Sequence, residues 1–133
     1  MAQYEVHTIA VAVPDPAGDN KQLFLAKVPL DAHGGGITIL EAYAVNGAAT
    51  SGGTTFTYQL LTYSGAGTPA VNGTINTTAL GGTTDYWAAS VPKAFTLNTA
   101  FVDAGYWIVL DYQEIAAGNP TNSNINIKYV MGK

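Results

Sequence analysis

Residues 31–40 read DAHGGGITIL, and the His33-Gly34-Gly35-Gly36 run is the stretch that most resembles reaction chemistry. A His-Gly-Gly-Gly segment beside a strand can present backbone N–H groups to an oxyanion, as in lipases and esterases. That arrangement serves a nucleophile in a G-x-S-x-G elbow on a strand-to-helix turn. The four serines, Ser51, Ser64, Ser90 and Ser123, all lie outside such a motif, and His7 and His33 are the only imidazoles. The run is therefore expected to be a flexible corner between strands, where glycine supplies conformational freedom.

Other chemistry is weaker still. His7 and His33 are too far apart in sequence to form a close-spaced zinc pair, and there is no cysteine. Asp15 and Asp19 in PDPAGDN could offer oxygens to calcium, but their spacing departs from the EF-hand loop, so a solvated acidic loop is expected. Glu41, Asp85, Asp103, Asp111 and Glu114 supply carboxylates without singling out a catalytic pair. Two sequons, at Asn72 and Asn76, read as chance matches. We expect no catalytic residue, no metal ligand and no cofactor. The candidate interface residues are instead Tyr86 and Trp87, in LGGTTDYWAASVPK, which lacks strand alternation. Exposed loop aromatics mark interfaces or sugar platforms. The competing expectation is that Trp87 plugs one end of the fold, since tryptophan is usually well buried.

The elements that must position these residues are strands. Short runs rich in Val, Ile, Thr, Tyr and Phe alternate with Gly, Pro, Asn and Asp clusters, and a sustained helical period is absent. Eight strands are predicted, at 4–13, 21–30, 37–45, 54–63, 73–80, 93–97, 106–113 and 124–131. In the third, Ile37, Ile39, Tyr43 and Val45 share a face with Glu41. In the fourth, Phe56, Tyr58 and Leu60 oppose Thr55, Thr57 and Gln59; in the seventh, Tyr106, Ile108, Leu110 and Tyr112 oppose Trp107, Val109 and Asp111. Asn46-Gly47 and Asn72-Gly73 are turn dipeptides. The fold class expected is all-β: a single domain over 1–133, a two-sheet antiparallel β-sandwich of the eight-stranded jelly-roll kind.

Composition narrows the partners. Only 11% of the 133 residues are charged, against about 25% in an ordinary domain. With five lysines, no arginine and a net charge of -4, the chain is poorly equipped to neutralise phosphates, so nucleic acid is not an expected partner. An apolar run of membrane-spanning length is absent. The opening MAQYEVHTIAVAVPDP lacks the basic start of a secretory signal, so synthesis in a cytoplasm is expected. A neutral, Thr-, Ala-, Gly- and Asn-rich surface suits a chain that works within an assembly rather than as a free monomer.

The second half carries a family resemblance. FVDAGYWIVLDYQEIAAGNPTNSNINIKYVMGK, with its Gly-Asn-Pro corner and final strand ending Tyr-Val-Met-Gly, resembles small virion proteins of tailed bacteriophages. LEAYAVNGAATSGGTTFTYQLLTYSG and DYWAASVPKAFTL extend the likeness over roughly residues 36–133. The resemblance implies a jelly-roll decoration (cement) protein on the capsid surface of the virion, assembled in the host cytoplasm. It implies the major capsid protein as partner, a homotrimer as oligomer and no enzymatic activity. The alternative reading is a carbohydrate-binding or receptor-binding sandwich of a phage fibre or tail, with Tyr86, Trp87 or Tyr112 as a platform for a surface glycan. An enzyme on a cupin-like scaffold is disfavoured by the histidine count.

Overall fold

The computed structural model describes residues 5–14, 21–65 and 67–132. The expected start of the first strand at Tyr4 and the Asp15/Asp19 loop lie outside the described residues. The described residues form ten strands: β1 (His7–Val13), β2 (Lys21–Lys27), β3 (Gly36–Val45), β4 (Thr55–Tyr63), β5 (Val71–Thr74), β6 (Leu80–Gly81), β7 (Lys93–Ala94), β8 (Phe101–Asp103), β9 (Trp107–Ile115) and β10 (Ser123–Met131). They build an all-β sandwich of two antiparallel sheets.

In the first sheet the order is β1-β10-β3, and the far edge of β3 is shared by β8 near its start and β7 near its end. In the second the order is β2-β9-β4, with β5 and β6 sharing the far edge of β4. Neighbours in each sheet are mostly distant in sequence, so hydrophobic pattern rather than short hairpins must fix the register. The core lies between the sheets. Ile37, Ile39, Ala42, Ala44, Ile125 and Ile127 come from the first, and Phe56, Tyr58, Leu60, Ile108 and Leu110 from the second.

Six of the eight expected strands are present with shifted ends; the edges of the sandwich differ from expectation. The stretch expected at 73–80 is two short strands, β5 and β6, separated by Asn76. The buried Asn76 side chain accepts the Leu60 N–H at 2.8 Å and donates to the Thr78 carbonyl at 2.7 Å. A side chain thus satisfies backbone groups that a continuous ladder would have paired. The strand expected at 93–97 shortens to Lys93–Ala94, and Phe101–Asp103 is an unanticipated strand whose Val102 is buried.

The expected facing of β3 fails halfway along. Lys128 pairs with Glu41 and Tyr129 with Ile39, which leaves Leu40 as a β-bulge. The extra residue reverses the alternation. Ile37 and Ile39 point inward, but beyond the bulge Ala42 and Ala44 take the core positions while Tyr43 and Val45 are only half-buried. An unbroken strand would have carried Glu41 inward with the isoleucines. The bulge instead leaves it exposed and paired with Lys128 at 2.6 Å.

His33–Gly35 is a 3₁₀ turn joining β2 to β3, as the corner reading of HGGG anticipated. Gly34 has φ +76°, and a Cβ there would lie 2.6 Å from the Gly132 Cα. Conformation and close packing against the end of β10 both require glycine at that position.

Candidate functional site

The two outer faces of the sandwich differ in chemistry. On the first sheet, the register sets Thr8, Ala10 and Ala12 of β1 beside Lys128, Asn126 and Asn124 of β10, with Glu41 and Tyr43 of β3 beyond. Apart from half-buried Tyr43, this face is small, polar and ion-paired, as expected of a sheet with one solvated side.

On the second sheet, the outward residues at one end of β2, β9 and β4 are Phe24, Val109 and Leu61, in one cross-strand row. The next row is Lys27, Trp107 and Tyr63. Phe24 packs edge-on against Tyr63 (centroids 5.4 Å, planes at 76°) and against Trp107 (5.3 Å, 88°). The Lys27 ammonium lies 5.7 Å from the Trp107 ring centroid. Such edge-to-face and cation–π contacts hold the rings in fixed orientations. Val109 is fully buried and Leu61 is 8% exposed, although both are on the outside of the sheet, whereas Phe24 remains 41% exposed. Val71, on the flanking β5, is exposed beside Tyr63.

A polar row borders this patch. Gln22, Asp111 and Gln59 lie across β2, β9 and β4, and the Gln22 amide donates to the Asp111 carboxylate at 3.0 Å. The Gln59 amide donates to the Asn76 carbonyl at 2.9 Å, so its orientation is set. Partial burial, then the nearby Asp111 charge, raises the Tyr63 pKa above its ordinary value. The phenol therefore stays neutral at physiological pH and available as a hydrogen-bond donor.

The residues singled out from sequence are dispersed. Tyr86 is 42% exposed and remains a surface aromatic. Trp87 is 1% exposed, which removes it from the candidate interface and corrects that expectation. Its indole N–H donates to the Phe56 carbonyl at 3.1 Å, and its ring stacks on Phe56 (4.8 Å, 14°) and meets Tyr58 edge-on (5.1 Å). Gly81 permits this approach, because a Cβ there would lie 2.6 Å from the indole nitrogen. Tyr112 is likewise buried against Tyr58 and is no glycan platform. Burying a large ring whose single donor is satisfied is the favourable solution for Trp87, so the plug reading holds.

Ser123 belongs to a structural relay. The Tyr58 hydroxyl donates to Ser123 Oγ at 2.6 Å, and Ser123 donates to the Val45 carbonyl at 3.1 Å, linking the two sheets through the core. Burial drives the Tyr58 pKa far above its ordinary value; the Ser123 hydrogen bond opposes that shift only in part. His7 stacks on Tyr129, Glu41 pairs with Lys128, and Asp85 pairs with Lys93. Among the described residues no group of three or more His, Cys, Asp or Glu is placed to hold a metal ion. No helix among them is long and apolar enough to cross a membrane.

Phe24, Leu61, Tyr63, Trp107 and Val109 were not selected by motif reading. For all but Phe24 the signal was available in QLLTY and YWIVL, where apolar residues run consecutively instead of alternating. Continuous apolar runs mark strands covered on both faces. Comparison of the chain with protein-family models, curated proteins and solved structures gives no match.

Proposed function

We propose that the chain is a non-catalytic structural virion protein of the capsid-decoration type, which seats the outer aromatic face of its second sheet on the shell formed by the major capsid protein. The observation that carries this reading is the burial of Val109 and Leu61 outside the sandwich core, within a cluster of exposed Phe24 and half-buried Tyr63 and Trp107. Aromatic anchors in a largely desolvated patch with a polar rim are the composition of a protein-binding hot spot. The phage resemblance in residues 36–133 supplies the partner class, the homotrimeric state and the virion location within this proposal. The jelly-roll reading is supported by strand order: with β5/β6 and β7/β8 each counted as one interrupted strand, the sheets are 1-10-3-7/8 and 2-9-4-5/6.

The test is co-sedimentation with shells assembled from the major capsid protein encoded alongside this chain, together with light scattering of the free protein. Apolar association resists screening, so binding is expected to persist through about 0.5 M salt. Trp107→Ala and Phe24→Asp are each expected to weaken it at least tenfold, while Tyr86→Ala leaves it unchanged. Binding that survives both face substitutions, or that disappears in salt, would overturn the reading.

A second reading has its own observation. The Gln22–Asp111 pair beside half-buried Tyr63 and Trp107 offers hydrogen-bonding groups next to ring surface, as a glycan requires. A glycan array returning ligands lost on Trp107→Ala, with no shell binding, would favour the receptor- or carbohydrate-binding role.

A further inference from the structure

At one end of the second sheet the inward rows of side chains stop being apolar. On β4 the buried row Phe56, Tyr58, Leu60 continues by strand alternation into Thr62, which is also buried. On β9 the row Tyr112, Leu110, Ile108 continues into half-buried Tyr106, which packs against the core just ahead of the strand. Thr62 pairs with Ile108, so Tyr106 is its diagonal neighbour on the inner face. Beyond β4, Gly73 of β5 stands opposite Thr62, and Asn72 is the extra residue of a bulge.

These residues, with buried Val102 of β8 from the other sheet, enclose a cavity of about 210 Å³. That is the volume of roughly seven waters at about 30 Å³ each. It lies where β5 and β8 occupy the far edges of their sheets. Glycine at 73 keeps it open: a Cβ there would lie 3.6 Å from Thr62 Oγ1. The polar groups hold one another loosely. The Asn72 amide donates to Thr62 Oγ1 at 3.4 Å, and Thr62 donates to the Gly73 carbonyl at 3.5 Å. Both are long beside an ordinary hydrogen bond, so bonding capacity is left for a ligand. Asp103 is the one charged residue along the wall, and no cation lines it.

We propose that this cavity binds the terminal monosaccharide of a neutral glycan. Asn72, Thr62 and Tyr106 offer hydrogen bonds to its hydroxyls, and the Tyr106 ring and Val102 offer apolar surface to its C–H face. Phosphate-, sulfate- and carboxylate-bearing sugars are disfavoured, because anion recognition calls for a cation or a cluster of N–H donors. Thr62 faces inward while its neighbour Tyr63 belongs to the outer face of the second sheet. The cavity is therefore distinct from the proposed docking face, and from the Trp107 platform of the second reading, and stands without either.

The probes are neutral hexoses, 6-deoxyhexoses and N-acetylhexosamines, titrated into the full isotope-labelled chain and followed by amide NMR. An array of glycans ending in the sugars that bind comes next. Saturable shifts are expected at the amides of Thr62, Asn72 and Gly73. Gly73→Val, which fills the cavity, should weaken binding at least tenfold, as should Asn72→Ala, an exposed change. Tyr106→Phe keeps the ring and should lose severalfold, and Trp107→Ala should leave affinity unchanged. Unaltered thermal midpoints for Asn72→Ala and Tyr106→Phe separate loss of the site from loss of the fold. Absence of saturable shifts, or undiminished binding by Gly73→Val and Asn72→Ala, would overturn the proposal. Loss of binding in Trp107→Ala would overturn it too, by moving the sugar to the outer face. Tighter binding of a simple alkylammonium ion, or of free sugars with no array glycan bound, would overturn the glycan assignment.

Discussion

The two sheets enclose one core but turn unlike surfaces outward. The first shows Thr, Ala, Asn and a Lys128–Glu41 ion pair. The second buries Val109 and Leu61 beneath or beside three aromatic rings. A solvated sheet needs apolar residues only on its inner face, and the apolar burial on the outside of the second sheet is what the proposed docking role rests on. Composition hides this contrast, because the same few charges and many apolar residues are averaged over both faces. The low overall charge is concentrated into consequence at one face only.

The largest expected effect separates the two tryptophans. Trp87→Ala removes a ring stacked in the core and should cost about 3–5 kcal/mol in urea denaturation. Trp107→Ala, half-buried on the outer face, should cost about 1–2 kcal/mol by lost area and act mainly on the proposed binding to the shell. Equal losses of stability would dissolve the distinction between the core and the proposed docking face.

Next in size, Val109→Asp places a carboxylate in a fully buried site and should destabilise by about 3 kcal/mol or more. Asn126→Asp on the first sheet's outer face should stay within about 0.5 kcal/mol. Similar denaturation midpoints for the two variants would show that the faces are equivalent.

The two tyrosines on opposite sides of β4 sharpen the comparison through pH. Unfolded tyrosine loses its proton near its ordinary pKa of about 10, whereas buried Tyr58 retains it. The unfolded state then binds fewer protons, so stability should fall above pH of about 10, by at most about 1.4 kcal/mol per pH unit from this residue. Tyr58→Phe should flatten that decline. Tyr63, whose pKa is raised less by its shallow burial, should titrate in the folded protein, and Tyr63→Phe should leave the alkaline decline nearly intact. The smallest effect is expected for Glu41→Gln: its ion pair with Lys128 is solvent-exposed, so thermal midpoints should barely move.

Much of the fold was legible because its signals are local. The alternation of Phe56, Tyr58 and Leu60, and of Ile108, Leu110 and Tyr112, identifies strands and their core faces correctly. The site was less legible. Tyr86 and Trp87 are adjacent and aromatic, yet one is at the surface and the other is sealed against Phe56. Nothing local distinguishes them, because the hole that receives Trp87 is made by Gly81 and Phe56 from other strands. Phe24, Tyr63 and Trp107 are separated by some forty residues at each step and converge only through pairing of β2, β9 and β4.

By itself the amino-acid sequence determined the all-β character, the six long strands and the HGGG corner, since period-two patterning and glycine geometry act over a few residues. The tertiary structure decided the inward turn of Trp87, the bulge at Leu40 that keeps Glu41 out of the core, and the aromatic face of the second sheet. Each of these depends on which distant strands become neighbours. That choice is made by the joint packing of the whole core, and a local pattern carries no record of it.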